Sequence, residues 1–311
     1  MPRTVLLALA ALAALLACST APKPRTEVDE RKNRAAEFTR SGNERFAQGD
    51  YRQALSFFSL ALNENLAVDN QPGVCSSYNS VGKALLAQGQ NERAEASFTE
   101  ALRLAGKLAD PGLTAQSAAN LGELALARGQ PDKALEYLQL AQSQLAGQQA
   151  SPEAEEEAAI VYHDLGAAYK QLDRPAEALA LFRKALAINL ERKRFEEAAS
   201  NYYMIGSLRS RQGDYPAALD ALNQALHYDR LMERSLGIAQ DLHALGALYE
   251  KTGDPEDALE HYHRSFQVYR SLSLDGEAAK LLPLLLALAE RTGRAAEAEN
   301  YRRLEAELEG K

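Results

Sequence analysis

Residues 246–265 read GALYEKTGDPEDALEHYHRS. The stretch has the form of a helix end, a tight turn and a second helix folding back on the first. Gly253 is the turn residue. Asp254 is a candidate N-cap, and Pro255 at the first helical position gives up only an N–H that has no helical acceptor. Ala258 is small enough for two helix backbones to approach closely. Leu245, Tyr249 and Tyr262 supply bulk at helical spacing.

The same block recurs along the chain. A glycine returns as Gly42, Gly82, Gly122, Gly166, Gly206 and Gly246, at spacings of 40, 40, 44, 40 and 40. Seven residues on lies a turn position: Gly49, Gly89, Gly129, Asp173, Gly213, Gly253 and then Gly293. Five further on is always alanine: Ala54, Ala94, Ala134, Ala178, Ala218, Ala258 and Ala298. A large apolar residue follows in six copies (Phe58, Phe98, Leu138, Phe182, Leu222, Tyr262), and then a small one (Ala61, Ala101, Ala141, Ala185, Ala225, Ser265). This small–turn–small–large–small order over residues 33–308 resembles the tetratricopeptide repeat (TPR), in a subclass with helices longer than the usual period of about 34 residues allows. The resemblance implies an all-α, right-handed TPR solenoid of about seven helix–turn–helix repeats.

Ahead of the array, residues 1–17 carry one basic residue, Arg3, and an apolar run from Val5 to Ala17. That run falls short of the about 20 residues that span a bilayer, so it reads as a signal peptide. Leu15-Leu16-Ala17-Cys18 resembles the bacterial lipobox, which implies lipidation of Cys18, with Ser19 after it pointing to the outer membrane. The alternative is an ordinary secretory signal cut at Ser19-Thr20-Ala21, which Pro22 would hinder. Residues 18–32, rich in proline and charge, read as the lipidated cysteine and a flexible tether. Six repeats then occupy 33–274. Residues 275–311 form an atypical seventh repeat and C-terminal cap, in which Leu286 replaces the packing glycine, Pro283 interrupts the first helix and the last helix is highly charged.

Composition and motifs narrow the function. The net charge of −8 provides no basic surface for nucleic acid. No phosphate-binding glycine loop, HExxH or GxSxG occurs. His261 and His263 stand two apart, on different faces of a helix, so they do not chelate one metal. Glu153, Glu155, Glu156 and Glu157 follow Pro152 and read as charge complementing a helix start. Besides Cys18 the only thiol is Cys75, read as a small buried residue. Neither enzyme activity, nor a cofactor, nor a metal site is expected.

The functional surface is then the groove that, in TPR proteins, the first helix of each pair lines. The resemblance places Thr39, Asn43 and Phe46 there, followed by Asn79 and Lys83, Gln116 and Glu123, His163 and Lys170, Tyr203 and Ser207, and His243 and Glu250; Asn120 lies beside them. Amide side chains pair with a peptide backbone through both donor and acceptor. The candidate partner-binding set is Asn43, Asn79, Lys83, Gln116, Asn120, His163, Tyr203, Ser207 and His243, weighed against a simply solvated face. No lysine stands at the position that forms the carboxylate clamp of chaperone-binding TPR domains, so capture of acidic C-terminal tails is not expected. These features predict a lipid-anchored envelope adaptor that binds another protein or peptide and assists a pilus, secretin or cell-wall machine. The alternative is a sensor that binds a peptide or small ligand in the same groove.

Overall fold

The computed structural model describes residues 26–147 and 151–309. Its elements are helices throughout: α1 (Glu27–Ala47), α2 (Tyr51–Ala67), α3 (Gln71–Ala87), α4 (Asn91–Leu108), α5 (Pro111–Ala127), α6 (Pro131–Ala146) and α7 (Pro152–Gln171), then α8 (Pro175–Glu191), α9 (Phe195–Arg211), α10 (Tyr215–Leu231), α11 (Ser235–Thr252), α12 (Pro255–Ser271), α13 (Asp275–Arg291) and α14 (Ala295–Glu309). The chain divides into two compact units, one running to Leu108 and one from Ala109. In the first unit α1 pairs with α2, α2 packs on α3, and α3 pairs with α4. In the second, α5 to α14 form five such pairs, and the second helix of each packs on the first helix of the next. Two first-helix neighbours, α5 with α7 and α9 with α11, also touch directly.

The repeated glycine is what lets each pair close. A Cβ added at Gly42, Gly82, Gly122, Gly166, Gly206 or Gly246 would come within 2.8 Å of the large apolar side chain at Phe58, Phe98, Leu138, Phe182, Leu222 or Tyr262 respectively. Each of those side chains is buried, a burial that contributes about 1.5–3 kcal/mol apiece. The turn residues Gly49, Gly89, Gly129, Gly213, Gly253 and Gly293 have φ between 66° and 86°, and Asp173 holds the equivalent place at 55°. The residue after each turn closes the preceding helix with a bond five residues back, as Asp254 N–H does to the Tyr249 carbonyl at 2.9 Å. Asp254 is the N-cap residue of α12 but makes no side-chain capping bond, whereas Asp50 accepts from the Gln53 N–H at 3.1 Å.

Two expectations are corrected. The first helix starts at Glu27, so residues 27–32 are helical rather than part of a tether; a Thr26–Asp29 capping box fixes that start. Pro283 does not interrupt α13, which runs unbroken from Asp275 to Arg291. Its ring is exposed, while Leu281, Leu282, Leu285 and Leu288 are buried and hold the helix in place. The turns between repeats are also left-handed, at Asp69, Ala109, Lys193, Glu233 and Ser273 (φ 49° to 57°), without glycine at any of them. The expected signal peptide of residues 1–17, Cys18 and the expected tether as far as residue 25 lie outside the described residues. Among the described residues no helix is long and apolar enough to cross a membrane.

Candidate functional site

The expected groove residues fall into three groups. Asn43, Lys83 and His243 are exposed on α1, α3 and α11, and Gln116, His163, Tyr203 and Ser207 are half-buried on α5, α7 and α9. Asn79 and Asn120 are buried at 2% and 4% exposure and already engaged inside the protein. Their amides are therefore not open to a partner as the chain stands.

Two pockets lie on the first helices at positions that the repeat makes equivalent. The first, in the N-terminal unit, is lined by Ala35, Ala36 and Thr39 of α1, Asn65 near the end of α2, and Gly73, Ser76 and Ser77 of α3. The second, in the C-terminal unit, is lined by Ala159, Ile160 and His163 of α7, Asn189 of α8, and Glu197, Ser200 and Asn201 of α9, and is half open to solvent with a volume of about 180 Å³. Each residue of the second set stands 124 positions after its counterpart in the first. Of the expected set, His163 alone lines either pocket.

A buried polar pair forms the floor of each pocket. In the first, Asn65 Nδ2 donates to Ser77 Oγ at 3.1 Å, and Asn70 Nδ2 donates to Asn65 Oδ1 at 2.7 Å. Gly73 makes room, since a Cβ there would lie 2.6 Å from the Asn65 amide carbon. In the second, Asn201 Nδ2 donates to the Glu197 carbonyl at 2.7 Å, which turns its Oδ1 toward His163 Nδ1, 3.0 Å away. A carbonyl oxygen only accepts, so His163 carries its proton on Nδ1 and presents a lone pair on Nε2. Burial pushes the His163 imidazole below the usual range, the Asn201 bond opposes that, and Lys170 adds to the lowering, so the ring is neutral. It stands edge-on to Phe182 at 5.3 Å between centroids. The Lys170 ammonium donates to Met204 Sδ at 3.4 Å, and its pKa is lowered by burial and then by Arg211.

One repeat later the same two positions are carboxylic acids. Asp229 and Asp241 are 4% and 1% exposed. Arg234 Nη1 donates to Asp229 Oδ1 at 3.1 Å, while Asp241 Oδ2 has no partner in the acceptor role. Burial and the negative charge of Asp229 push Asp241 up to about 8, so the pair holds one proton between them. Tyr203 packs nearby; its phenol is raised by burial and then by Asp241. Asn65, Asn189, Asn201, Asp229 and Asp241 were missed in the sequence because no single motif marks them. The signal available was their offset from the packing glycine: buried polar residues recur five positions before it on the first helix and at the end of the preceding second helix.

Among the described residues no group of three or more histidine, cysteine or acidic side chains could hold a metal ion. Tetratricopeptide-repeat family models match residues 40–107, 75–145, 113–191 and 157–231, and a second such model matches 242–273. The chain belongs to the tetratricopeptide-repeat family. It is similar to the crystal structure of Rap protein complexed with competence and sporulation factor (TM-score 0.64, 18% identity, 89% of this chain and 75% of that one). Aspartyl phosphate phosphatase F from Bacillus subtilis aligns over 99% of this chain and 76% of its own, at TM-score 0.63 and 13% identity. PilW, a type IV pilus biogenesis factor, aligns over 75% and 93%, at TM-score 0.57 and 21% identity. At these identities the likeness is one of fold. Comparison with curated proteins finds no match to the sequence.

Proposed function

We propose that this chain is a lipid-anchored adaptor of the bacterial cell envelope, a docking array that holds a segment of another protein against its first helices. The observation that carries this reading is the polar, repeat-spaced character of those helices. Asn43, Lys83 and His243 stand exposed on them, with half-buried His163, Tyr203 and Ser207 between turns that recur every 40 or 44 residues. Anchoring at Cys18 rests on the lipobox-like Leu15-Leu16-Ala17-Cys18, and placement at the outer membrane rests on Ser19. Similarity to a pilus biogenesis factor makes an envelope assembly machine the first partner to test. No catalytic role is assigned.

A second reading, binding of a peptide or small ligand as a sensor, is favoured by the half-open pocket at His163 and by likeness to a Rap protein complexed with a factor. The two separate in an in-cell crosslink and pull-down of the full-length protein beside a Cys18→Ala variant. The adaptor predicts one dominant protein partner, lost together with membrane fractionation in the variant. Recovery of short peptides only, equally from both forms, would replace it with the sensor.

A further inference from the structure

The residue at the end of the second helix has an acceptor oxygen in three repeats, and in two of them a side chain five positions on satisfies it. Asn70 donates to Asn65 Oδ1 at 2.7 Å, and Arg234 donates to Asp229 Oδ1 at 3.1 Å. The third case differs. Arg194, the equivalent residue, turns away to the Glu156 carbonyl at 3.5 Å and to the Glu197 carboxylate. Asn189 is 2% exposed and its Oδ1 is left with no hydrogen-bond partner. A buried acceptor without a partner costs free energy unless something arrives to satisfy it. Asn189 lines the same pocket as His163, whose Nε2 is the second acceptor.

We infer that the pocket bounded by His163, Asn189 and Asn201 is a subsite for a neutral hydrogen-bond donor, the primary amide of an asparagine or glutamine side chain on the bound segment. Two acceptors match the two N–H groups of one amide. A carboxylate brings no donor and would meet both lone pairs. An ammonium group would sit near the Lys170 cation, while Arg194 already neutralises Glu197. A water occupies about 30 Å³ of liquid, so a cavity of about 180 Å³ has room for a side-chain amide. Ala159 and Ile160 supply apolar wall for the methylene stem. The inference rests on the first-helix face being the binding face.

The test uses propionamide, propionate and propylammonium as probes on the full-length protein, read by long-range proton–nitrogen NMR of the His163 ring and by the Asn189 side-chain amide signals. Propionamide is expected to shift His163 Nε2 saturably, with about tenfold tighter binding than the other two, the worth of one satisfied buried acceptor. Asn189→Leu, an apolar filling of similar size, should abolish the response while leaving the helical signal unchanged. Equal shifts from all three probes, no shift from propionamide, or an undiminished response in Asn189→Leu would overturn the assignment. The wild-type comparison decides even if the variant does not fold. Amide binding that persists where no protein partner is captured refutes the adaptor and leaves the subsite standing; capture without amide selectivity does the reverse.

Discussion

Replacing Asp241 by asparagine should stabilise this protein at neutral pH and leave it unchanged in acid. Asp241 and Asp229 are both buried, on α11 and α10, and Gly237 provides the space, because a Cβ there would lie 2.5 Å from the Asp229 carboxyl carbon. The charged groups facing the pair are Arg234, which bonds Asp229, and Glu196, which pairs with Arg234 at 3.0 Å; the neutral Tyr203 phenol packs nearby. One guanidinium does not compensate two buried carboxylates, so Asp241 keeps its proton, its pKa raised from 3.8 to about 8. The folded value lies above the unfolded one. The favourable balance is therefore complete below pH 4 and is lost as pH rises toward 8, because the unfolded chain has released a proton that the folded chain must hold. Each pH unit in that window costs about 1.4 kcal/mol. From pH 4 to pH 7 the cost reaches about 4 kcal/mol as an upper bound, and relaxation around the pair reduces the expected gain in Asp241→Asn to about 2 kcal/mol.

Asparagine is sterically proven at the site one repeat earlier, where Asn201 occupies the equivalent position and is fully buried. Its amide N–H can donate to the Asp229 carboxylate, as the protonated Asp241 does. Repeat arrays do not always unfold in one step. The assay is therefore amide hydrogen exchange of α10 and α11, alongside urea unfolding, at pH 4.5, 6.0 and 7.5. Wild-type protection in these helices should fall across that series, and Asp241→Asn should be flatter and higher at pH 7.5. A variant no more protected than wild type at pH 7.5, or with the same pH slope, would refute the argument that the pair shares one proton.

Other outcomes follow from the same packing. Gly82→Ala should destabilise by about 1–3 kcal/mol in urea unfolding despite alanine's better helix propensity, since its Cβ would run into the Phe98 ring; Gly106→Ala, on a helix with open space, should be neutral or stabilising. Cys75 is fully buried and its thiol donates to the Ala101 carbonyl at 3.2 Å, so a thiol reagent should label it only on unfolding. The His163 ring should titrate below the ordinary histidine range by NMR, and Asn201→Leu should lower it further by removing the bond that raises it. Because the folded value is depressed, any stability His163 contributes is lost as pH falls below the ordinary histidine value.

The helix pairs were legible in the sequence because close backbone approach leaves a fixed imprint: a glycine on one helix and a bulky side chain sixteen residues later that would collide with any Cβ. The intra-repeat turns were legible through their glycines. The inter-repeat turns were not, since Asp69, Ala109, Lys193, Glu233 and Ser273 adopt the left-handed region without one. Charge density made residues 27–32 look like tether, although Thr26 and Asp29 already had capping-box spacing. Pro283 looked like a break, because a proline inside a helix removes one backbone bond and crowds the carbonyl four residues back, but burial of the leucine face outweighs that cost and carries the helix through it. Family geometry placed the first-helix face, yet burial of Asn79 and Asn120, and the polar pairs beneath the pockets, depend on how successive helices meet, which no local pattern records.

The most direct test of a first-helix docking face is site-specific photocrosslinking in cells. A crosslinking residue is placed at Lys83 or Ser207 on first helices, and at Arg183 or Asn223 on second helices, in otherwise unchanged full-length protein. The account predicts that the first-helix positions trap one and the same partner species, and that the second-helix positions trap none. Trapping from Arg183 or Asn223 with none from Lys83 and Ser207 would contradict it.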